Sequence, residues 1–170
     1  FTAEDFRLSR YKANIAQKLM EIHPDLRKRY ANAIGDFLEA MTDKNYDIKI
    51  TSGYRTLAKQ RALYNSLKPR GLPVATPGNS WHNYRVAIDV GLFYKGKYIR
   101  NGGIYLNVLS PFFAKYGMHN PIANDRIHFQ PTEVPTSPRQ IKAKLINTRT
   151  QSDDPRAVAA YLDSNDKYFT

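Results

Sequence analysis

Ser80-Trp81-His82-Asn83-Tyr84-Arg85-Val86-Ala87-Ile88-Asp89-Val90-Gly91-Leu92 changes character halfway along. From Val86 onward, Val86, Ile88, Val90 and Leu92 alternate with Ala87, Asp89 and Gly91, the two-residue repeat of a strand with one buried face. On that parity Asp89 points away from the core, between two of the smallest residues, with room beside its carboxylate for an ion and a substrate. The stretch 126–130 repeats the pattern, with Ile127 and Phe129 on the core side and His128 on the other. Two strands therefore each send a metal-type ligand away from their apolar side. His82 lies just upstream of the first.

Working outward, Tyr46, Ile48 and Ile50 alternate with Asp47 and Lys49 as a further strand. It runs into Thr51-Ser52-Gly53-Tyr54-Arg55-Thr56, where Thr56 is placed to cap a helix through Gln60 and Tyr64. The first fifty residues are otherwise helical in pattern. Leu8, Tyr11, Ile15, Leu19 and Ile22 recur at helical spacing, and so do Leu26, Tyr30, Ile34, Phe37, Leu38 and Met41. His23-Pro24 breaks the two, since proline disfavours helix in the residue before it, and His23 is expected to cap or pack there. A Pro/Gly-rich loop from Pro69 to Gly78 is long enough to point to function rather than mere connection. Lys95-Gly96 is expected to turn a hairpin into residues 97–99, and Ser110-Pro111 to open a short helix closed by Gly117. His119 reads as a loop residue. Ser137 has capping-box spacing for a helix to about Ile146, and Asp154-Pro155 starts a last small helix. The fold class is α+β, a small antiparallel sheet flanked by helices. Residues 1–147 are expected to form the functional domain, with 148–170 a polar linker and short helix on or trailing it.

Composition narrows the chemistry. The chain has 170 residues, long enough for one domain with a real core, and its 12 Tyr and 8 Phe argue against disorder. It has no Cys, which removes disulfides, iron–sulfur clusters, thiol nucleophiles and Cys-ligated zinc together. Any transition metal must be held by Asp, Glu and four His. No run approaches the ~18 apolar residues of a membrane span, so no transmembrane segment and a soluble protein are expected. The first residues lack the marks of a signal peptide, and a start at Phe1 rather than Met points to a processed product or an excised domain. The net charge of +11 favours an anionic partner: nucleic acid, lipid headgroups or envelope phosphate polymers. The longest basic run is Arg27-Lys28-Arg29, however, so nucleic acid is not the expected primary target.

Two imidazoles and one carboxylate leave a fourth coordination position for water, the pattern of a catalytic zinc. Spacing alone leaves open that His82 and His128 are ordinary polar residues at strand ends. Three segments together say more. Ser52-Gly53-Tyr54-Arg55-Thr56, the S-x-H-x-x-x-x-x-x-D of Ser80, His82 and Asp89, and the D-x-x-H of Asp125 and His128 occur in the order seen in a known family. Over residues 20–135 the chain resembles the zinc D-alanyl-D-alanine carboxypeptidases and L-alanyl-D-glutamate endopeptidases, cell-wall enzymes of the Hedgehog/DD-peptidase fold.

The resemblance implies that His82, Asp89 and His128 ligate Zn²⁺, that Asp125 is the general base, and that Arg55 faces the scissile carbonyl. It also implies that Gln60, Ser80 and Arg85 lie near the substrate. Two residues depart from the family pattern: Arg85 stands where glycine is usual, and Gln130 where some members carry Glu. If the backbone at 85 needs positive φ, arginine is strained there; otherwise its side chain adds a substrate contact. Gln130 weakens any case for a catalytic role at its position. The expected function is hydrolysis of peptidoglycan stem peptides, with Asp as base favouring L-alanyl-D-glutamate endopeptidase. The alternatives are D-alanyl-D-alanine carboxypeptidase and a non-catalytic wall-binding module. The expected place of action is the bacterial cell wall or periplasm, as a phage lysin, a virion-associated enzyme or an exported bacterial enzyme. The basic surface would then meet anionic envelope polymers.

Overall fold

A computed structural model of the chain describes residues 1–122, 125–134 and 137–141. The boundary expected at 147–148 and the Asp154-Pro155 helix lie outside those residues. Ser137 does open a helical turn over 138–141, its Oγ accepting from Arg139 N–H at 3.2 Å.

Helices α1 (Lys12–Met20) and α2 (Pro24–Met41) bury the expected faces: Ile15, Leu19, Leu26, Tyr30, Ile34, Phe37 and Leu38 all lie in the core. His23 caps α2, its Nδ1 accepting from Asp25 N–H at 3.2 Å, with Pro24 in the first turn. Leu8 departs from the pattern. It is 41% exposed, and Phe6 of a short 3₁₀ helix (Ala3–Phe6) fills the core instead. The cause is Asp47, whose carboxylate accepts from Ser9 Oγ (2.6 Å) and Arg10 N–H (3.1 Å) and holds residues 9–10 in a turn.

The sheet is antiparallel, in the order β1–β2–β5–β4, from β1 (Tyr46–Ser52), β2 (Ile88–Tyr94), β3 (Lys97–Tyr98), β4 (Met118–His119) and β5 (His128–Pro131). β3 turns back at Lys95-Gly96 and shares an edge of β2 with β5. His119 is exposed and pairs with Gln130, so the expected loop is a two-residue strand. Ile48, Ile50, Ile88, Val90, Leu92 and Phe129 form the covered face. Helices α1 and α2 pack against it, and Phe113 stacks on Phe129 with ring centroids 4.4 Å apart. The opposite face carries Asp89. The side of Asp89 toward Gly91 is not open: a Cβ at Gly91 would lie 2.9 Å from the Tyr98 ring, so that ring fills this flank of the carboxylate.

Between β3 and β4 the chain is more helical than its sequence indicates. Asn101 caps α4 (Gly102–Ile104), which continues through a π-helical turn (Tyr105–Leu109) into α5 (Ser110–Ala114). Ser110 is therefore interior to the helical run, its Oγ donating to the Tyr105 carbonyl at 3.3 Å. Gly102-Gly103 hides this start, because glycine is a poor helix former. Gly117, with φ of 73°, ends the run as expected.

Tyr30 ties α2 to both strands of the site. Its buried hydroxyl donates to the Val86 carbonyl at 2.6 Å, with the Phe129 carbonyl at 3.3 Å. Burial pushes its pKa far above the usual tyrosine value. Tyr30→Phe leaves these carbonyls short of a donor and is expected to cost about 1–2 kcal/mol. Urea unfolding checks this through a lowered midpoint at unchanged slope.

Candidate active site

The register of β2 and β5 builds the centre of the site. Asp89 pairs directly with His128, so both side chains leave the same face of adjacent strands. His82 comes from a 3₁₀ turn (Trp81–Tyr84) just before β2, capped by Ser80, whose Oγ accepts from His82 N–H at 3.3 Å. Helix α3 (Leu57–Leu67), capped by Thr56 as expected, supplies Gln60. One ligand atom from each of His82, Asp89 and His128 lies within 4.8 Å of the other two.

The far side of each imidazole sets its tautomer. His82 Nδ1 is 2.8 Å from the Gly53 carbonyl, which can only accept, so Nδ1 carries the proton. Its Nε2 then turns a lone pair toward Asp89 Oδ1, 3.0 Å away. His128 Nε2 donates to Gln130 Oε1 at 2.8 Å, which leaves Nδ1 with its lone pair 3.3 Å from the same Asp89 oxygen. Two neutral imidazoles and a carboxylate thus present electron pairs to one point. Only positive charge there makes the arrangement favourable, either protons on the rings or a metal cation. Outer hydrogen bonds that orient imidazoles in this way are the usual support of metal-ligating histidines. The donor set fits a divalent cation.

Around this centre lies a cavity of about 550 Å³, bordered by Arg55, Gln60, Ser80, His82, Asp89, Asp125 and His128. The Pro/Gly-rich loop contributes Pro73, Val74 and Ala75 to its wall. A β-bulge, with the β1–β2 register shifting between Ile50 and Ser52, carries β1 toward Arg55. The Arg55 guanidinium donates to Gln60 Oε1 (2.9 Å) and Ser52 Oγ (3.2 Å), and burial lowers its pKa. Burial also raises the Asp125 carboxyl, with the negative charge of Asp89 acting in the same direction. At Asp89 burial alone would raise the pKa, but a second proton on His128 or His82 brings a hydrogen bond and a positive charge that outweigh it and hold the group anionic. Two carboxylates in one cavity are thus pushed apart in acidity.

Gln60 is 1% exposed and both ends of its amide are engaged, Oε1 by Arg55 and Nε2 by the Ala75 carbonyl (2.8 Å). Arg85 is not among the described residues lining the cavity; its guanidinium lies 4.9 Å over the Tyr54 ring. Its backbone is left-handed (φ 62°), a conformation costing a non-glycine residue about 1–2 kcal/mol, and its carbonyl accepts from His23 N–H at 3.0 Å. Two residues with structural roles here carry no catalytic signature in sequence. Gln130 orients His128. Asn83 ties the site loops together, donating to the Arg55 carbonyl at 3.0 Å and accepting from Gly78 N–H at 3.1 Å. The three-residue spacing from Ser80 to Asn83 was the available signal for the latter.

Residues 23–102, a little under half of the chain, match the VanY family, described as D-alanyl-D-alanine carboxypeptidase. The chain is VanY-like. The matched stretch contains Arg55, His82 and Asp89 and stops before Asp125 and His128, which the fold brings to the same cavity. Over 77 residues the VanY-like chain is 38% identical to a bifunctional D-Ala-D-Ala dipeptidase and D-Ala-D-Ala carboxypeptidase, VanXYC, of Enterococcus gallinarum. That alignment covers 42% of this chain and 38% of the relative. In structure it is similar to the L-Ala D-Glu endopeptidase ChiX of Serratia marcescens, with a TM-score of 0.52 and 20% identity over 71% of this chain and 87% of the other. The shared α+β fold has an antiparallel sheet with flanking helices.

The imidazole geometry is directly checkable. In metal-free protein, long-range ¹H–¹⁵N spectra of the neutral rings are expected to show His82 protonated at Nδ1 and His128 at Nε2. Gln130→Leu should release the second preference and leave the first.

Proposed function

We propose that this chain is a zinc-dependent peptidoglycan peptidase acting on stem peptides. The observation that carries the proposal is the convergence of His82, Asp89 and His128 beside Asp125 and Arg55 in one cavity. His82 Nε2, His128 Nδ1 and Asp89 would hold the metal, and a His₂-carboxylate set suits zinc with a position left open. When bound, the cation supplies Lewis acidity toward water and a peptide carbonyl.

The chain's own residues carry the rest. Asp125, its carboxyl raised by burial, takes a proton from the nucleophilic water and returns it to the leaving amine. Arg55, steadied by Gln60 and Ser52, directs its guanidinium at the carbonyl oxygen that gains negative charge, a donor whose loss typically costs about 3 kcal/mol. Gln60 acts as a positioning residue for Arg55, and Ser80 acts by capping the turn that presents His82. A pure binding module has no use for Asp125 and Arg55 beside the metal ligands, which favours the enzyme reading.

The bond we propose is L-alanyl-D-glutamate, because the resemblance associates Asp rather than Glu at position 125 with endopeptidases. D-alanyl-D-alanine cleavage is the second reading, supported by the likeness of residues 23–102 to carboxypeptidases. We place the activity at the bacterial wall or periplasm, as a phage-encoded, virion-associated or exported enzyme. The +11 charge would hold it near anionic envelope polymers. Among the described residues no helix is long and apolar enough to cross a membrane.

Digestion of purified peptidoglycan, followed by mass spectrometry, tests the reading. New amino-terminal D-Glu with L-Ala left on the glycan is expected, whereas released D-Ala alone would favour the second reading. A chelator should abolish the activity and Zn²⁺ restore it. Asp125→Asn should keep stoichiometric zinc and lose about 10²–10⁴-fold in rate; normal hydrolysis by that variant would remove Asp125 from its role. Gln130→Leu should weaken zinc binding by about 10–100-fold in a competition titration.

A further inference from the structure

Asp125 borders a second cavity, of about 400 Å³, that the proposed chemistry does not use. Its wall includes Tyr98, Arg100, Gly102, Tyr105 and Arg126. Both arginines are exposed, and each rests against one neighbour. Arg100 lies over the Tyr98 ring at 5.7 Å, and that ring is seated against Gly91 and, edge-on, against Phe93 at 5.6 Å. The aliphatic stem of Arg126 lies across Gly102, where an added Cβ would come within 2.6 Å of Arg126 Cγ. Tyr105 is a fixed wall, its hydroxyl donating to the Ile99 carbonyl (2.9 Å) and accepting from Leu92 N–H (3.0 Å). Neither arginine forms an ion pair with a carboxylate among the described residues.

Two arginines without a carboxylate partner among the described residues, on a concave surface that adjoins the cleft at Asp125, ask for an anion. We infer that this second cavity is a substrate subsite in which Arg100 and Arg126 bind a peptide carboxylate close to the cleaved bond. The inference rests on the proposed peptidase reading, which makes the occupant a continuation of the peptide in the adjoining cleft. The ionised groups such a peptide can offer to cations are carboxylates, and the planar guanidinium fork matches them. On the proposed L-alanyl-D-glutamate bond, the group nearest the cut is the α-carboxylate of the γ-linked D-glutamyl residue. The subsite would therefore distinguish wall peptides with that carboxylate free from those with it amidated.

Calorimetry on the purified chain tests this without turnover, using γ-D-glutamyl-L-lysine and the same dipeptide with its α-carboxylate amidated. The acid is expected to bind at least about tenfold tighter than the amide, as a charge-assisted pair lost should cost. Arg126→Gln, Arg100→Gln and Gly102→Ala, the last by unseating the Arg126 stem, should each bring that ratio to within about twofold. Arg7→Gln, which removes the same charge from a distant exposed site, should leave it unchanged. Acid and amide behaving alike in the wild type, whether both bind or neither does, overturns the inference. So does a ratio preserved in the Arg126 and Gly102 variants, or inorganic phosphate displacing the acid at equal concentration. A chain that discriminates acid from amide yet leaves peptidoglycan intact would keep the subsite and lose the peptidase reading. Digestion without discrimination would do the reverse.

Discussion

Three electron pairs aimed at one buried point constrain everything else in this molecule. Asp89 Oδ1 faces His82 Nε2 at 3.0 Å and His128 Nδ1 at 3.3 Å, and both rings have already committed their protons to outward acceptors. With both rings neutral and Asp89 ionised, largely out of water, such a cluster would be repulsive and costly to hold. The fold holds it by pairing β2 with β5 in register and by packing both strands onto α2 through Tyr30. The cluster makes sense as a cation site whose ligands are oriented in advance.

The same economy extends to the groups around it. Ser52 accepts from the Arg55 guanidinium, and the next residue, Gly53, offers the carbonyl that fixes His82. Gln60 holds Arg55 with one end of its amide and the cavity wall at Ala75 with the other. Asn83 joins the Arg55 loop to the segment that caps His82. Little of this support touches a substrate, and all of it narrows the positions available to the groups that would. Preorganisation of this kind lets fixed dipoles and charges act on a transition state without reorganising.

Much of the architecture was legible from periodicity. The alternation over 86–92, the helical spacing in α2 and the cap at Thr56 each depend on neighbours a few residues away, and each appears as read. The parity of Asp89 and His128 followed from the same rule, so the face on which they sit needed no structure. Leu8 failed because Asp47, far along the chain, holds residues 9–10 in a turn. Ser110 failed because a helix begun at Asn101 runs through it, against the local bias of Gly102-Gly103. The room expected beside Asp89 is present on the side of His82 and His128, while Tyr98 from a neighbouring strand fills the Gly91 side.

Sequence by itself determined the types of α1, α2, α3, β1 and β2, the side of β1, β2 and β5 that faces the core, and the absence of cysteine that left histidine and carboxylate as the available metal ligands. Tertiary structure alone decided which nitrogen of each imidazole is free, which residue steadies Arg55, and that Gln130 supports His128. It alone seats two arginines beside Asp125 in a second cavity. The division has one physical cause. Backbone periodicity and capping are set by residues within a turn or two of one another. Proton positions, cavity walls and charge pairing are set by atoms that meet only when distant segments pack together.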